Sequence, residues 1–218
     1  MNQRFRAAIF DFDGVLVDSA EIYRQALSEA VAPVAREDWP RLYGMTTAEA
    51  VVFASGGTLP ELKAESVAAQ IDRRVGTLLA QGPPKRDGAF VTLSELKQAG
   101  LLLAVASSAS RLALDVTLDA LEWRPHFQTV IGREDVPFPK PHPGAYARAA
   151  KDLGVTPQSA FAIEDTDIGV RSAKGAGLFA VALGGTQTPE ELREADLYFD
   201  SFGDLRASVW YQRLLPAA

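Results

Sequence analysis

Between residues 101 and 199 the chain repeats one pattern, in which a short apolar run gives way to a helical pattern and then to the next apolar run. The runs are LLLAVA (101–106), QTVIG (128–132), AFAIED (160–165), LFAVAL (178–183) and LYF (197–199). Such alternation is the signature of βαβ units and a mainly parallel sheet. An earlier apolar run, Ala7 to Phe10, supplies a first strand. Between residues 19 and 85 the reading changes. The patterns around 20–32, 47–54 and 61–80 are helical and no strand stands out. Thr58, Leu59 and Pro60 open the last of these helices, and Gly82, Pro83 and Pro84 close it. The expectation is an α/β fold: a Rossmann-like core of residues 1–18 and 86–218, returning near Asp87 and Gly88, with a small α-helical domain, 19–85, inserted after the first strand.

The first run ends in IFDFDGVLVDS (9–19), where two carboxylates follow one residue apart. A half-solvated strand alternates apolar and polar residues from its start, whereas this one turns acidic only at its end. It reads as a strand delivering acids to a site. Composition narrows the partners. The formal net charge of −6 gives no field for a polyanion, so nucleic acid is not an expected partner. The absence of cysteine excludes thiol catalysis and a disulfide framework, and is compatible with a reducing, cytoplasmic location. No stretch approaches the ~18 apolar residues of a membrane span, and Asp11 and Asp13 break the amino-terminal run too early for a signal peptide.

In a parallel sheet the carboxyl ends of all strands lie on one edge, where open α/β folds bind ligands. That edge collects Asp11 and Asp13, Ser107 and Ser108, Lys140, and Glu164 with Asp165. Two charges ~4 Å apart repel by roughly 4 kcal/mol at an effective dielectric near 20, so four carboxylates in one crevice call for a hard divalent cation such as Mg2+. Ser107 and Ser108, at the start of the helix that includes Arg111, add donors at a positive helix end suited to phosphate. Blander readings stand beside these: Ser107 as a helix cap, Lys140 as an exposed loop lysine, Glu164 and Asp165 as caps of the following helix.

Together these residues resemble the haloacid dehalogenase superfamily, in its phosphatase and phosphomutase branch with a helical cap after the first strand. DFDGVLVDS (11–19), VASSAS (105–110), KPHPGAY (140–146) and IEDTDIGVRSAKGAG (163–177) are similar to its four motifs, in order and each after an expected strand. The resemblance implies Asp11 as the nucleophile forming an aspartyl phosphate and Asp13 as the acid and base. It implies phosphate contacts from Ser107, Lys140 and the backbone N–H groups of Phe12, Asp13 and Ser108. It further implies Mg2+ held by Asp11, Asp165, Glu164 and the main-chain oxygen of Asp13.

Within the cap, Tyr43, Gly44, Met45 and Thr46 resemble the substrate-specificity loop, and Glu21, Tyr23, Arg73 and Arg74 are candidates for its entrance. The family's β-phosphoglucomutases carry a histidine near Tyr23 and an arginine near Thr47, and this chain has neither. The expected function is a Mg2+-dependent phosphatase acting on a small phosphorylated metabolite, of sugar phosphate or phosphoglycolate type, as a monomer or homodimer. A hexose phosphate mutase and a receiver-like phospho-signalling protein are the alternatives.

Overall fold

The computed structural model describes residues 5–216; the outermost residues of the expected core, 1–4 and 217–218, lie outside the described residues. In chain order the elements are β1 (Ala7–Phe10), α1 (Ala20–Ala30), α2 (Thr47–Ala54), α3 (Glu61–Gln81), α4 (Ala89–Gln98), β2 (Leu102–Ala106), α5 (Arg111–Ala120) and β3 (Thr129–Ile131). They continue with α6 (Gly144–Asp152), β4 (Ala160–Glu164), α7 (Asp167–Gly175), β5 (Phe179–Leu183), β6 (Leu197–Phe199), α8 (Phe202–Ala207) and α9 (Val209–Gln212). All six strands are parallel, in the order β3-β2-β1-β4-β5-β6. The expected α/β, Rossmann-like sheet is present, and each apolar run falls on a strand.

Side-chain alternation along the strands explains how the sheet is covered. One face carries large residues, among them Phe10, Leu103, Val105, Phe161, Ile163 and Val181, packed with α4, α5, α8 and α9. The opposite face is built largely of alanine, at positions 7, 104, 106, 160, 162, 180 and 182. Small side chains let α6 and α7 approach closely, and Tyr146, Ala149, Val170 and Ala173 fill the space that remains. With both faces buried, the strands read as continuous apolar runs rather than alternating ones.

A third apolar cluster joins α1, α2 and α3 through Leu27, Val51, Ile71, Val75 and Leu79. Ala113 of α5 belongs to the same cluster, so α3 lies along α5 and roofs the carboxyl edge of the sheet. The chain leaves and re-enters the sheet side by side: Asp18 N–H donates to Pro84 O at 2.8 Å and Arg86 N–H to Leu16 O at 3.0 Å. Helix α2 opens with a capping box, Thr46 and Glu49 exchanging hydrogen bonds. The 3-10 turn Arg36–Leu42 carried no readable signal, because Pro40 interrupts any periodicity there. No helix of the described residues is long and apolar enough to cross a membrane.

One local expectation is corrected. Helix α5 starts at Arg111 with Ser110 as its cap, the Ser110 hydroxyl accepting from Ala113 N–H. Ser107 and Ser108 therefore lie in the loop ahead of the helix. The Arg111 N–H donates to Glu134 at 2.8 Å, so the N–H groups of both Arg111 and Ala113 in the first turn are taken up by protein. Nearby serines at 107, 108 and 110 all suit a cap, and sequence spacing does not choose among them.

Candidate active site

β1 stops at Phe10, and the next three residues alternate in direction as an extended strand does. Phe12 is fully buried in the large-residue face, which turns Asp11 and Asp13 together into a cavity of about 220 Å³ between the sheet edge and the helical block. Gly14 then turns the chain at a φ of +78°, with space so tight that a Cβ would lie 1.8 Å from Asp165 Oδ2.

Asp11 is 7% exposed. Its Oδ1 accepts from Lys140 Nζ at 2.6 Å, and no described residue donates to Oδ2. Lys140, brought in by the loop after β3, also donates to Glu164 Oε1 at 2.6 Å. Glu164 is wholly buried. It accepts five hydrogen bonds: from Lys140, from Tyr146 O–H at 2.7 Å, from the N–H groups of Asp165 at 3.1 Å and Thr166 at 3.4 Å, and from the Thr166 hydroxyl at 3.2 Å. Asp13 accepts from the Ser19 hydroxyl and Asp165 from the Thr186 hydroxyl, both through short contacts.

These surroundings set the protonation states. Burial raises the Asp11 carboxyl well above its ordinary value; Lys140 opposes this, while Glu164 and Asp165 add to it. Burial lifts Asp13 to about 6 against the Ser19 hydrogen bond. Asp165 is pushed to about 7, by burial first and then by the charge of Glu164. Lys140 behaves oppositely: burial favours its neutral form, but the carboxylates of Asp11 and Glu164 outweigh that and hold it charged.

The acids are thus short of positive charge. Asp11, Glu164 and Asp165 each offer a carboxylate oxygen within 4.8 Å of the others. Asp165 Oδ1 is buried with no hydrogen-bond partner among the described residues. An orphaned, buried carboxylate oxygen in a set of hard donors fits Mg2+. The Asp13 side chain stands outside this set and faces the cavity.

Ser107 is 3% exposed. Its oxygen accepts from Ala109 N–H at 3.0 Å, leaving the hydroxyl proton free to donate into the cavity. The N–H groups of Phe12, Asp13 and Ser108 donate to no described residue. With Lys140 they form a set of donors beside Asp11, an arrangement able to hold a phosphoryl group.

Among the cap candidates, Tyr23, Tyr43, Gly44 and Met45 line the cavity. Gly44 abuts Ile168 of α7, where a Cβ would fall 2.4 Å from Ile168 Cδ1. Thr46 lies outside the lining, its hydroxyl engaged in capping α2. Glu21 pairs with Arg24, Arg74 pairs with Glu29, and Arg73 is exposed; none of the three lines the cavity. Four residues had no role in the sequence reading. Arg86 holds the carbonyls of Gly14 and Gly184, and Thr186, Tyr146 and Ser19 each anchor an acid. Thr186 was within reach, since it follows β5 at the same sheet edge. The other three become legible only when the loops are folded.

Comparison with known proteins identifies a family for the chain. Residues 8–183 match the family described as haloacid dehalogenase-like hydrolase. The chain is 33% identical to protein CbbY of Cereibacter sphaeroides over 97% of this chain and 99% of that one. It is 29% identical to the validoxylamine A 7'-phosphate phosphatase of Streptomyces hygroscopicus subsp. limoneus, over 93% and 96%. The crystal structure of a mutant CbbY from Rhodobacter sphaeroides in complex with xylulose-(1,5)bisphosphate superposes with a TM-score of 0.81, at 29% identity, covering 92% of this chain and 96% of that one. The matched segment runs from Ala8 in β1 to the end of β5 and takes in every acid of the cavity, and the chain belongs to the haloacid dehalogenase-like hydrolase family.

Proposed function

We propose that this hydrolase is a Mg2+-dependent phosphatase that cleaves a small phosphorylated metabolite through an aspartyl phosphate on Asp11. Residues 1–18 and 86–218 form the catalytic core in this reading, and 19–85 the cap that closes over it. The observation that carries it is the pairing of Asp11 with Lys140 at 2.6 Å beside Asp13, in one cavity lined also by Ser107 and Ser108. The phosphatase named among the relatives supports the same reaction class, phosphoric monoester hydrolysis.

Asp11 attacks phosphorus through a carboxylate oxygen while the ester P–O bond breaks, and Asp13 gives its proton to the departing oxygen. A carboxyl near 6 retains a protonated fraction at neutral pH, as an acid in this role requires. Asp13, now ionised, takes a proton from water; the water oxygen attacks phosphorus, the bond to Asp11 breaks, and inorganic phosphate leaves. Lys140, the Ser107 hydroxyl and the N–H groups of Phe12, Asp13 and Ser108 hold the phosphoryl oxygens. Asp11 and Asp165, with the main-chain oxygen of Asp13, would hold Mg2+. Glu164, its two oxygens already engaged, would keep Lys140 and Asp165 in place. Mg2+ when bound supplies the positive charge that lets a phosphate dianion approach a carboxylate.

Phosphate release from p-nitrophenyl phosphate and a panel of metabolite monoesters, with Mg2+ and with chelator, tests the proposal. Release that needs Mg2+ is expected. Absence of release from every ester refutes the phosphatase, and undiminished release under chelator refutes the metal.

A further inference from the structure

The cavity has a charged floor and an uncharged roof. Asp11, Asp13, Asp165, Lys140 and Ser107 make the floor at the sheet edge, while Leu27, Trp39, Leu42, Met45 and Ile71 make most of the roof. Two cations line it among the described residues, and both are committed. Lys140 is held between Asp11 and Glu164, and Arg86 donates to the carbonyls of Gly14 and Gly184. Arg133 is not in the lining; it is paired with Asp72 at 2.6 Å and donates to the lining Thr47 hydroxyl at 3.4 Å, so it too is committed. Asp18 adds one more carboxylate to the wall. A second phosphate or a carboxylate on the substrate would meet apolar side chains and like charge, at the cost of an unpaired, desolvated anion.

Three polar groups lining the upper cavity make no hydrogen bond with any described residue, the hydroxyls of Tyr23 and Tyr43 and the indole N–H of Trp39. Of these, Tyr23 stands on α1 opposite Asp13, within the fields of Asp13 and Asp72. The Thr47 hydroxyl, also at the lining, is engaged by Asp72 at 2.7 Å.

Resting on the phosphatase reading, we infer that the substrates are monoesters bearing a single phosphate on an uncharged alcohol with an apolar or ring face, and that Tyr23 selects among them by hydrogen-bonding a hydroxyl of that alcohol. Bisphosphates and carboxylate-bearing esters such as phosphoglycolate are disfavoured. The roof, not the phosphate-holding floor, sets this preference.

Steady-state kinetics of the wild-type enzyme with Mg2+ tests the inference on a hexitol monophosphate, cyclohexyl phosphate, a hexose bisphosphate and phosphoglycolate, with p-nitrophenyl phosphate as the control. The two monoesters of uncharged alcohols should exceed the two esters that carry a second anionic group in kcat/KM by about 100-fold, the consequence of one poorly compensated charge. Equal or reversed preference, with p-nitrophenyl phosphate turned over, overturns the inference and leaves the phosphatase reading intact. No turnover of any ester overturns both. In Tyr23→Phe, KM for the hexitol phosphate should rise more than KM for cyclohexyl phosphate, which has no free hydroxyl, and equal rises refute the role given to Tyr23. Met45→Arg, which places a cation in the roof, should raise the kcat/KM of the bisphosphate relative to the hexitol phosphate by about tenfold, and an unchanged ratio would count against the roof as the source of selection.

Discussion

Replacing Glu164 with glutamine separates a structural anchor from a metal ligand. The two side chains have nearly the same shape, so no cavity opens. What changes is that one acceptor becomes an NH2 donor. If the amide nitrogen faces Lys140 and Tyr146, it meets an ammonium and a hydroxyl, donors now at 2.6 and 2.7 Å. If it turns the other way, it meets the N–H groups of Asp165 and Thr166 at 3.1 and 3.4 Å. The second orientation costs less. It leaves one well-formed and one long hydrogen bond unmade in a fully buried place, about 1–3 kcal/mol for the first and about 0.5 for the second. Weakening the charge-assisted bond to Lys140 adds about 1 kcal/mol. Relief of repulsion with Asp11 and Asp165 returns about 1 kcal/mol. The net loss is about 1.5 to 3.5 kcal/mol, a large fraction of an ordinary domain's stability. Urea unfolding in chelator, monitored by the fluorescence of the three tryptophans, measures it as a lowered midpoint with an unchanged slope. A Glu164→Gln protein as stable as the wild type without Mg2+ would refute the anchoring role, and a defect appearing only when Mg2+ is present would assign Glu164 to the metal.

Other consequences can be read at single positions. Asp13→Asn should slow cleavage of alkyl phosphates far more than that of p-nitrophenyl phosphate, whose leaving group needs little protonation; equal losses in kcat would contradict the acid role. Gly14→Ala should cost about 2 kcal/mol or more of stability and depress Mg2+ affinity, because the new methyl must displace Asp165 Oδ2 from a left-handed turn; calorimetric Mg2+ binding equal to wild type would refute it. Away from the site, Glu95 accepts from Arg206 at 2.9 Å and from Tyr211 at 3.0 Å, and the Arg206 hydrogen bond leads in holding its carboxyl below the ordinary range. A lowered folded value means the stabilisation is complete above the unfolded carboxyl value of about 4.3 and fades as pH falls through the lower folded value. Glu95→Gln should therefore lose about 1 kcal/mol at pH 7 and match the wild type in strong acid; a difference independent of pH would exclude ionic pairing as its cause.

The sheet was readable because each strand is an uninterrupted apolar run between breakers, and burial on both faces removes the ambiguity of a half-solvated strand. The acids were readable for a related reason: a carboxylate at the end of such a run has no solvated face to explain it. Lys140 entered from its place in the loop after the run at 128–132, and in the structure its ammonium sits between Asp11 and Glu164. Less was legible where a residue's role depends on a partner distant in sequence. Tyr146, 18 positions from Glu164, and Arg86, 72 from Gly14, resemble any buried tyrosine or loop arginine until the chain is folded. The roof was opaque for another reason. Leu27, Trp39, Leu42 and Ile71 come from separate segments whose apolar periodicity serves the packing of α1, α2 and α3 as well as the lining, so periodicity cannot say which of them face a ligand. Serine spacing misled at 107–110, where three candidate caps compete and hydrogen bonding with Ala113 selects Ser110.

The covalent role of Asp11 is the centre of the account, and acid-quenched turnover followed by peptide mass mapping tests it most directly. With Mg2+ and a cleavable monoester, the peptide containing Asp11 should gain the mass of one phosphoryl group, and the adduct should be absent in Asp11→Asn, which should retain its fold and release no phosphate. Steady phosphate release by Asp11→Asn, or a phosphoryl adduct on another residue, would contradict it.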